Sequence, residues 1–576
     1  MDFLKLVAIS LAFWSGTLSI GEDDLVKDLP GLIFNVNFKM YSGYLNANQN
    51  GSWKMHYTLT ESRNDPANDP LLVWFNGGPG CSSFAGQFEE LGPFYVNKDG
   101  KSLYENVYSW NARANVLYLE SPIGVGFSYD TNTNNYTYAS DDQTADQNYA
   151  ALKDFFARVQ TKYQKRKFFL SGESYAGIYI PMLSARLVKG INSNDFPNPN
   201  FQGSAIGNGF MNVAYLQNSL ILWSMYHGRI SLDDWDDIKK YCRDDQTTDM
   251  DNVDFSKHFI STTNQIDYVS DNSRCGNLTA QWLILPDNMD QYNYYQDCYT
   301  GSSINVVNAT VSSFTEKPEH AGKNFKRVFA GPRRFGLDPN TANTYNYDST
   351  DNQWGYICWN EDALFKWANR RDVQKALNID QEWQNRKDND GKPFPWTDCN
   401  NALYDSYHLT YNTTNQFFDY VIKNVKTPNF RFLIYNGDVD TVCNYLGDAW
   451  HMRDVTNQNA FTSTPRDRWW FRDQVAGFYQ RYTKQQITID VLTVKGAGHM
   501  VPNDRPGPSM QMITNFMFPD TNGLVDYSSN QTADPTRKPA DLLTTSTVLP
   551  TDSTTTNDAF ARSLLSLLSL LVVLLL

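Results

Sequence analysis

The chain has 576 residues, of which 41% are hydrophobic and 19% charged, with a net charge of −14. That length buries a large core, and that balance excludes a globally disordered chain. The acidity excludes nucleic acid as a partner, because phosphate binding needs a basic surface.

Residues 1–21, MDFLKLVAISLAFWSGTLSIG, place Lys5 before the apolar run Leu6–Trp14 and then small residues up to Gly21. This reads as a signal peptide, too short to span a membrane. From about residue 31 to 210, short apolar runs alternate with glycine turns and helix-like stretches. LLVWF (71–75) leads into NGGPGCSS, ANVLYLE (114–120) into SPIGVGFSY, and FFLSG (168–172) into a helical stretch that ends near Val188. Strand, glycine turn and helix in succession predict a buried, mostly parallel sheet. Residues 212–345 are rich in Asn, Asp and Tyr and read as an inserted cap without regular apolar runs. The strand pattern returns at FRFLIYNG (430–437) and ITIDVLTVKG (487–496). The predicted class is therefore α/β, a mostly parallel central sheet carrying an inserted cap subdomain.

Residues 520–558 form a Ser/Thr/Pro-rich stalk, and 559–576 a hydrophobic tail. Small residues near Ser553, a polar spacer and the terminal run Ser563–Leu576 match a glycosylphosphatidylinositol-anchor signal. A tail-anchored span is the alternative, although the run falls short of the ~20 residues needed. Six N-x-[ST] sequons, at Asn50, Asn135, Asn277, Asn308, Asn412 and Asn530, agree with the secretory route. So do seven cysteines, which suggest three disulfides and one free thiol. No CxxC, HExxH, GxxxxGK[ST] or strand-bound GxGxxG is present, so neither metal nor nucleotide cofactor is expected.

Three strand-end loops carry candidate chemistry. SGESYAG places Ser174 between Gly172 and Ala176, small enough for a strand-to-helix elbow, although the usual second glycine is absent. YNGDVDTVC places Asp438 and Asp440 after a strand, and KGAGHMVP places His499, one of only seven histidines, after the next. Ser, Asp and His in that order are the triad order of α/β-hydrolases, with the base activating the alcohol. Spacing leaves Asp438 and Asp440 equivalent. In NGGPG, consecutive glycines aim N–H groups at one point, as an oxyanion hole requires; a plain tight turn is the alternative. Glu173, immediately before Ser174, has no role in a plain triad.

WFNGGPGCSS, ESPIGVGFSY, SGESYAGIYIP, YNGDVDTVCN and GAGHMVPNDRP together resemble the serine carboxypeptidase family over about residues 30–517. The resemblance implies Ser174 as nucleophile, His499 as base and Asp440, rather than Asp438, as its partner. It implies an oxyanion hole from the N–H groups of Gly78 and Tyr175. It also implies a role for Glu173, which with Asn76 and Glu90, and Trp74 packed beside them, grips the substrate's terminal carboxylate. Three carboxyl groups cannot meet fully ionised, so a proton is shared and activity is expected to favour about pH 4–6.

Family pairing implies Cys81–Cys399 and Cys298–Cys358, leaving Cys242–Cys275 as the third bridge and Cys443 as a free thiol near the site. Met500 is expected to line the pocket for the leaving residue, and the basic run 323–334 is a candidate excision site. The expected partners are peptide C-termini, without cofactor or nucleic acid; the membrane is met only through the C-terminal tail, and a homodimer is open. Two other functions fit the same motifs: acyl transfer to an alcohol, and a protective or binding role with dispensable catalysis.

Overall fold

The computed structural model describes residues 20–295 and 360–529, apart from a few loop positions. Its centre is a twelve-stranded sheet. The strands that position the site are β1 (Met40–Asn46), β2 (Trp53–Thr60), β3 (Leu71–Phe75), β4 (Asn115–Leu119), β5 (Phe168–Ser174), β6 (Phe201–Gly209), β7 (Phe430–Gly437), β8 (Gln474–Lys484) and β9 (Ile487–Val494). They lie in the order β1-β2-β4-β3-β5-β6-β7-β9-β8. The six from β4 to β9 run parallel, flanked by antiparallel β1–β2 on one side and β8 on the other.

The apolar runs are continuous because both faces of the sheet are covered. In β3, Leu72 and Trp74 enter one core cluster while Leu71, Val73 and Phe75 enter the other, the alternation that a pleated strand imposes. Helices α1 (Ser83–Glu89), α2 (Asp141–Asp154) and α3 (Ala176–Asn192) pack on these faces, and every residue of α1 is buried.

Part of the segment read as an inserted cap without regular apolar runs is helical. Residues Val213–Tyr226, Leu232–Tyr241 and Arg274–Leu283 form helices around a separate cluster that includes Leu220, Trp223, Ile238 and Phe255. Val213–Tyr226 buries nine consecutive residues, polar ones included, so it carries no apolar stripe for a sequence reading to find. Cys242–Cys275 and Cys81–Cys399 are bonded, and Cys443 is free and buried. Most of the signal peptide and of the stalk, the tail, the 323–334 run, Cys298, Cys358, Asn135, Asn308 and Asn530 lie outside the described residues.

Candidate active site

A parallel sheet delivers the ends of neighbouring strands to one edge, where their loops meet. Ser174 ends β5, Asn208 lies near the end of β6, Asp440 follows β7 and His499 follows β9. These strands are adjacent in that order, so four loops distant in sequence converge.

Ser174 is the elbow itself. Its φ of 60° is a left-handed conformation that a non-glycine residue holds only when its surroundings enforce it. The enforcement is visible: Phe210 N–H donates to Ser174 O at 2.8 Å, and α3 begins two residues later. A Cβ at Gly172 would run into the Phe75 carbonyl and lie 2.8 Å from Ala176 Cβ. Ala176 therefore serves in place of the usual glycine. The closer approach falls to Gly177, where a Cβ would sit 2.5 Å from Phe210 N.

His499 Nδ1 lies 2.7 Å from Asp440 Oδ2, and both side chains are buried. The same oxygen accepts Asn208 Nδ2 at 2.9 Å and Cys443 N–H at 3.0 Å, while Oδ1 accepts Val442 N–H at 2.9 Å. A carboxylate filled by four donors requires the proton on Nδ1, which leaves the lone pair on Nε2. Asp438 does something different, because its Oδ1 accepts Gly496 N–H at 2.7 Å and ties the two loops together. His499 is also held from above. Its N–H donates to Tyr292 O at 2.7 Å, and the Tyr292 ring lies 4.9 Å from the imidazole, centroid to centroid. Asn293 Nδ2 and Gly498 N–H both donate to Asp504 Oδ2.

Sequence reasoning missed Asn208, Tyr292, Asn293 and Asp504. Asn208 had a signal, an asparagine between glycines at a strand end, and it adopts φ 39°. Asp504 lies inside GAGHMVPNDRP without a role of its own there, and Tyr292 and Asn293 sit in a stretch without a motif.

The glycine turn lies against the elbow. A Cβ on Gly77 would be 2.5 Å from Tyr175 N and 2.7 Å from Ser174 Cβ, so only glycine allows this approach. Gly78 has φ 109°.

Beside it, Asn76 Nδ2 donates to Glu90 Oε1 at 2.8 Å and reaches Glu173 Oε1 at 3.4 Å. Trp74 Nε1–H donates to Asn76 Oδ1 at 2.7 Å, which fixes the orientation of the amide. Burial pushes the Glu173 carboxyl well above its usual range, and the facing Glu90 adds to it by charge and hydrogen bond. Burial also raises Glu90, partly offset by the bond from Asn76. Both carboxyls are thus biased toward the protonated form, Glu173 more strongly, and the remaining oxygen of each, Oε2, has no hydrogen-bond partner among the described residues. The arrangement offers a serine at the end of β5, a histidine–aspartate pair after the neighbouring β7 and β9, and a buried pair of acids beside the glycine turn. Cys443 is buried, its backbone N–H on Asp440, and Met500 caps the short helix Val501–Asp504 next to His499 in the chain.

The strand order and the convergence of these loops define the α/β-hydrolase fold. A family model described as serine carboxypeptidase matches residues 30–518. Serine carboxypeptidase ctsa-3.1 of Caenorhabditis elegans is 54% identical over 558 residues, covering 91% of this chain and 93% of that protein. The lysosomal protective protein of Mus musculus is 33% identical over 532 residues, covering 89% and 97%. Among solved structures, the prohormone-processing carboxypeptidase Kex1Δp of Saccharomyces cerevisiae superimposes with a TM-score of 0.58 at 20% identity, covering 88% of this chain and 99% of that one. The chain belongs to the serine carboxypeptidase family and is a serine-type carboxypeptidase.

Proposed function

We propose that Ser174, His499 and Asp440 release single residues from peptide C-termini through an acyl-enzyme at acid pH. Ser174 Oγ attacks the last peptide carbonyl and its proton passes to His499 Nε2. The oxyanion forms against the N–H groups of Gly78 and Tyr175. As the C–N bond breaks, His499 returns the proton to the departing nitrogen. Water then repeats the sequence on the ester and frees Ser174.

The observation that carries this reading is the buried acid pair placed one residue before Ser174. A protonated Glu173, with Asn76, donates to the substrate's terminal carboxylate and adds no net charge at the reacting centre. That sets the register: a chain held by its end presents its last peptide bond to Ser174. Activity is accordingly highest where the pair keeps its proton and falls as pH rises through the pair's raised range.

The test compares a blocked dipeptide, its C-terminal amide and a blocked amino-acid ester from pH 4 to 8, with Ser174→Ala as control. The reading expects strong preference for the free acid at low pH and no activity in Ser174→Ala. Equal rates on acid and amide at pH 5 would overturn it. The leader, two disulfides and exposed sequons at Asn50, Asn277 and Asn412 support a secretory destination, either the cell surface through a lipid anchor or the lysosome.

A further inference from the structure

A second serine, histidine and carboxylate meet deep in the molecule. Ser42 Oγ lies 2.9 Å from His56 Nε2, and His56 Nδ1 lies 2.8 Å from Glu120 Oε2. All three are buried, so no substrate reaches them. Their hydrogen bonds say what they do instead.

Ser42 donates its only proton to Leu377 O at 2.6 Å, so His56 Nε2 must be the donor in its bond to Ser42. Glu120 Oε2 also accepts Phe127 N–H at 2.8 Å, and Oε1 accepts the Ser82 hydroxyl and Trp396 Nε1–H. Whichever of the two groups holds it, one proton joins His56 Nδ1 to Glu120 Oε2, and the other bonds to Glu120 are kept. The ring is therefore fixed at both nitrogens, Nε2 donating to Ser42 and Nδ1 bonded to the Glu120 carboxyl. A ring and an acid buried together with their hydrogen-bonding positions filled meet the condition under which interior polar groups are tolerated.

The Glu120 carboxyl gathers three segments around the glycine turn. Ser82 follows Cys81 and caps α1, accepting Phe84 N–H at 3.1 Å. Trp396 precedes Cys399, which is bonded to Cys81. Gly126 presses so closely on Glu120 that a Cβ has no room. Asp398 O accepts Ser82 N–H at 2.6 Å, and Gly80 O accepts Asn400 N–H at 2.9 Å.

We infer that His56 and Glu120 are positioning residues: a buried, hydrogen-bonded clamp that, through Ser82, holds the Asn76–Ser83 turn and with it the Gly78 N–H. This rests on the reading of Gly78 as an oxyanion donor. The clamp touches no substrate and acts through the turn.

Two measurements test it. The first uses [15N]histidine labelling at pH 5, with seven ring systems to resolve. His451, buried and pushed down to about 3 by that burial, is the internal control for a neutral interior ring. His56, identified by its loss in His56→Gln, is expected to carry its proton on Nε2; a bare Nε2 on His56 overturns the clamp.

The second uses Ser82→Ala and Ser82→Thr on a blocked amino-acid ester, which needs no carboxylate grip. Ser82→Ala is expected to lower kcat on the order of tenfold with KM little changed, and Ser82→Thr to restore it. An unchanged kcat in folded Ser82→Ala, or a change confined to KM, refutes the positioning role. Ser174→Ala separates this from the underlying assignment: if it still cleaves the ester, the site reading itself has failed. Should Ser82→Ala fail to fold, the histidine spectrum of the wild-type protein still decides.

Discussion

Replacing Glu173 by Gln removes a titrating proton while keeping the shape of the side chain. The glutamine carbonyl takes the place of Oε1, which faces Asn76 Nδ2 at 3.4 Å, and its amide nitrogen takes the place of Oε2. That second position has no partner among the described residues and is free to donate. The amide thus offers the substrate carboxylate at every pH what Glu173 offers only when protonated. In the wild-type enzyme, loss of the proton converts a donor into a negative charge facing another. A hydrogen bond to a charged group contributes about 1.5–3 kcal/mol, so the loss corresponds to roughly 10–150-fold in KM.

The assay is steady-state hydrolysis of a blocked dipeptide from pH 4 to 8. Wild-type kcat/KM should fall about tenfold per pH unit above the pair's apparent pKa, as loss of a single proton requires. In Glu173→Gln that fall should flatten, with KM nearly constant and kcat at pH 5 within about tenfold of wild type. Ester hydrolysis, which has no carboxylate to grip, should change little. If Glu173→Gln abolishes peptide and ester hydrolysis alike, or leaves the alkaline fall of kcat/KM unchanged, the acid pair does not read the substrate's end.

Asp448 is a second buried acid, pushed up to about 8 by burial, although its Oδ2 accepts Asn436 Nδ2 and Gly209 N–H. Its folded pKa lies above the unfolded value, so its contribution to stability is complete below about pH 4 and is lost as pH rises through about 8. Asp448→Asn should gain on wild type in thermal stability as pH rises from 4 to 8; a pH-independent difference in Tm would contradict this. Gly77→Ala should lower kcat on the order of 10²–10³-fold with little change in KM, because its Cβ forces Tyr175 N and Ser174 away from each other's working positions; an unchanged kcat would place the oxyanion donors elsewhere. Asn208→Ala removes a bond to Asp440 and fills a left-handed position with an ill-suited residue. It should cost about one to two orders of magnitude in kcat for peptide and ester equally, read against circular dichroism as a check on folding.

Much of this was legible because function and backbone geometry coincide in the same short motifs. Ser174 sits in an elbow that only small neighbours permit, and Gly77 and Gly78 sit where a side chain would collide or be strained. Residues chosen for backbone shape leave a mark on the sequence. Asp440 did not: Asp438 is as acidic, as near the strand and as close to glycines in sequence. Spacing could not separate them; the family resemblance chose Asp440, and the hydrogen bonds show that it meets His499 while Asp438 meets Gly496. Tyr292 and Asn293 reach the site from a segment whose own sequence has no periodicity. Their relevance lies wholly in where the chain returns to cross the His499 loop. The helix Val213–Tyr226 was hidden for a related reason: its Asn218 and Ser219 are satisfied internally, so polar residues occupy a buried surface.

The orientation of Asn76, fixed by the indole of Trp74, also bears on what happens after the bond is cut. On the proposed reading, the departing amino acid takes the terminal carboxylate with it, still held by the amide N–H of Asn76 and the acid of Glu173. Whatever strengthens capture of the peptide therefore delays escape of the product. A protonated Glu173 favours the first and hinders the second, so the pH of fastest turnover should lie above the pH of tightest binding. The free amino acid should compete best where the enzyme binds its substrate most strongly.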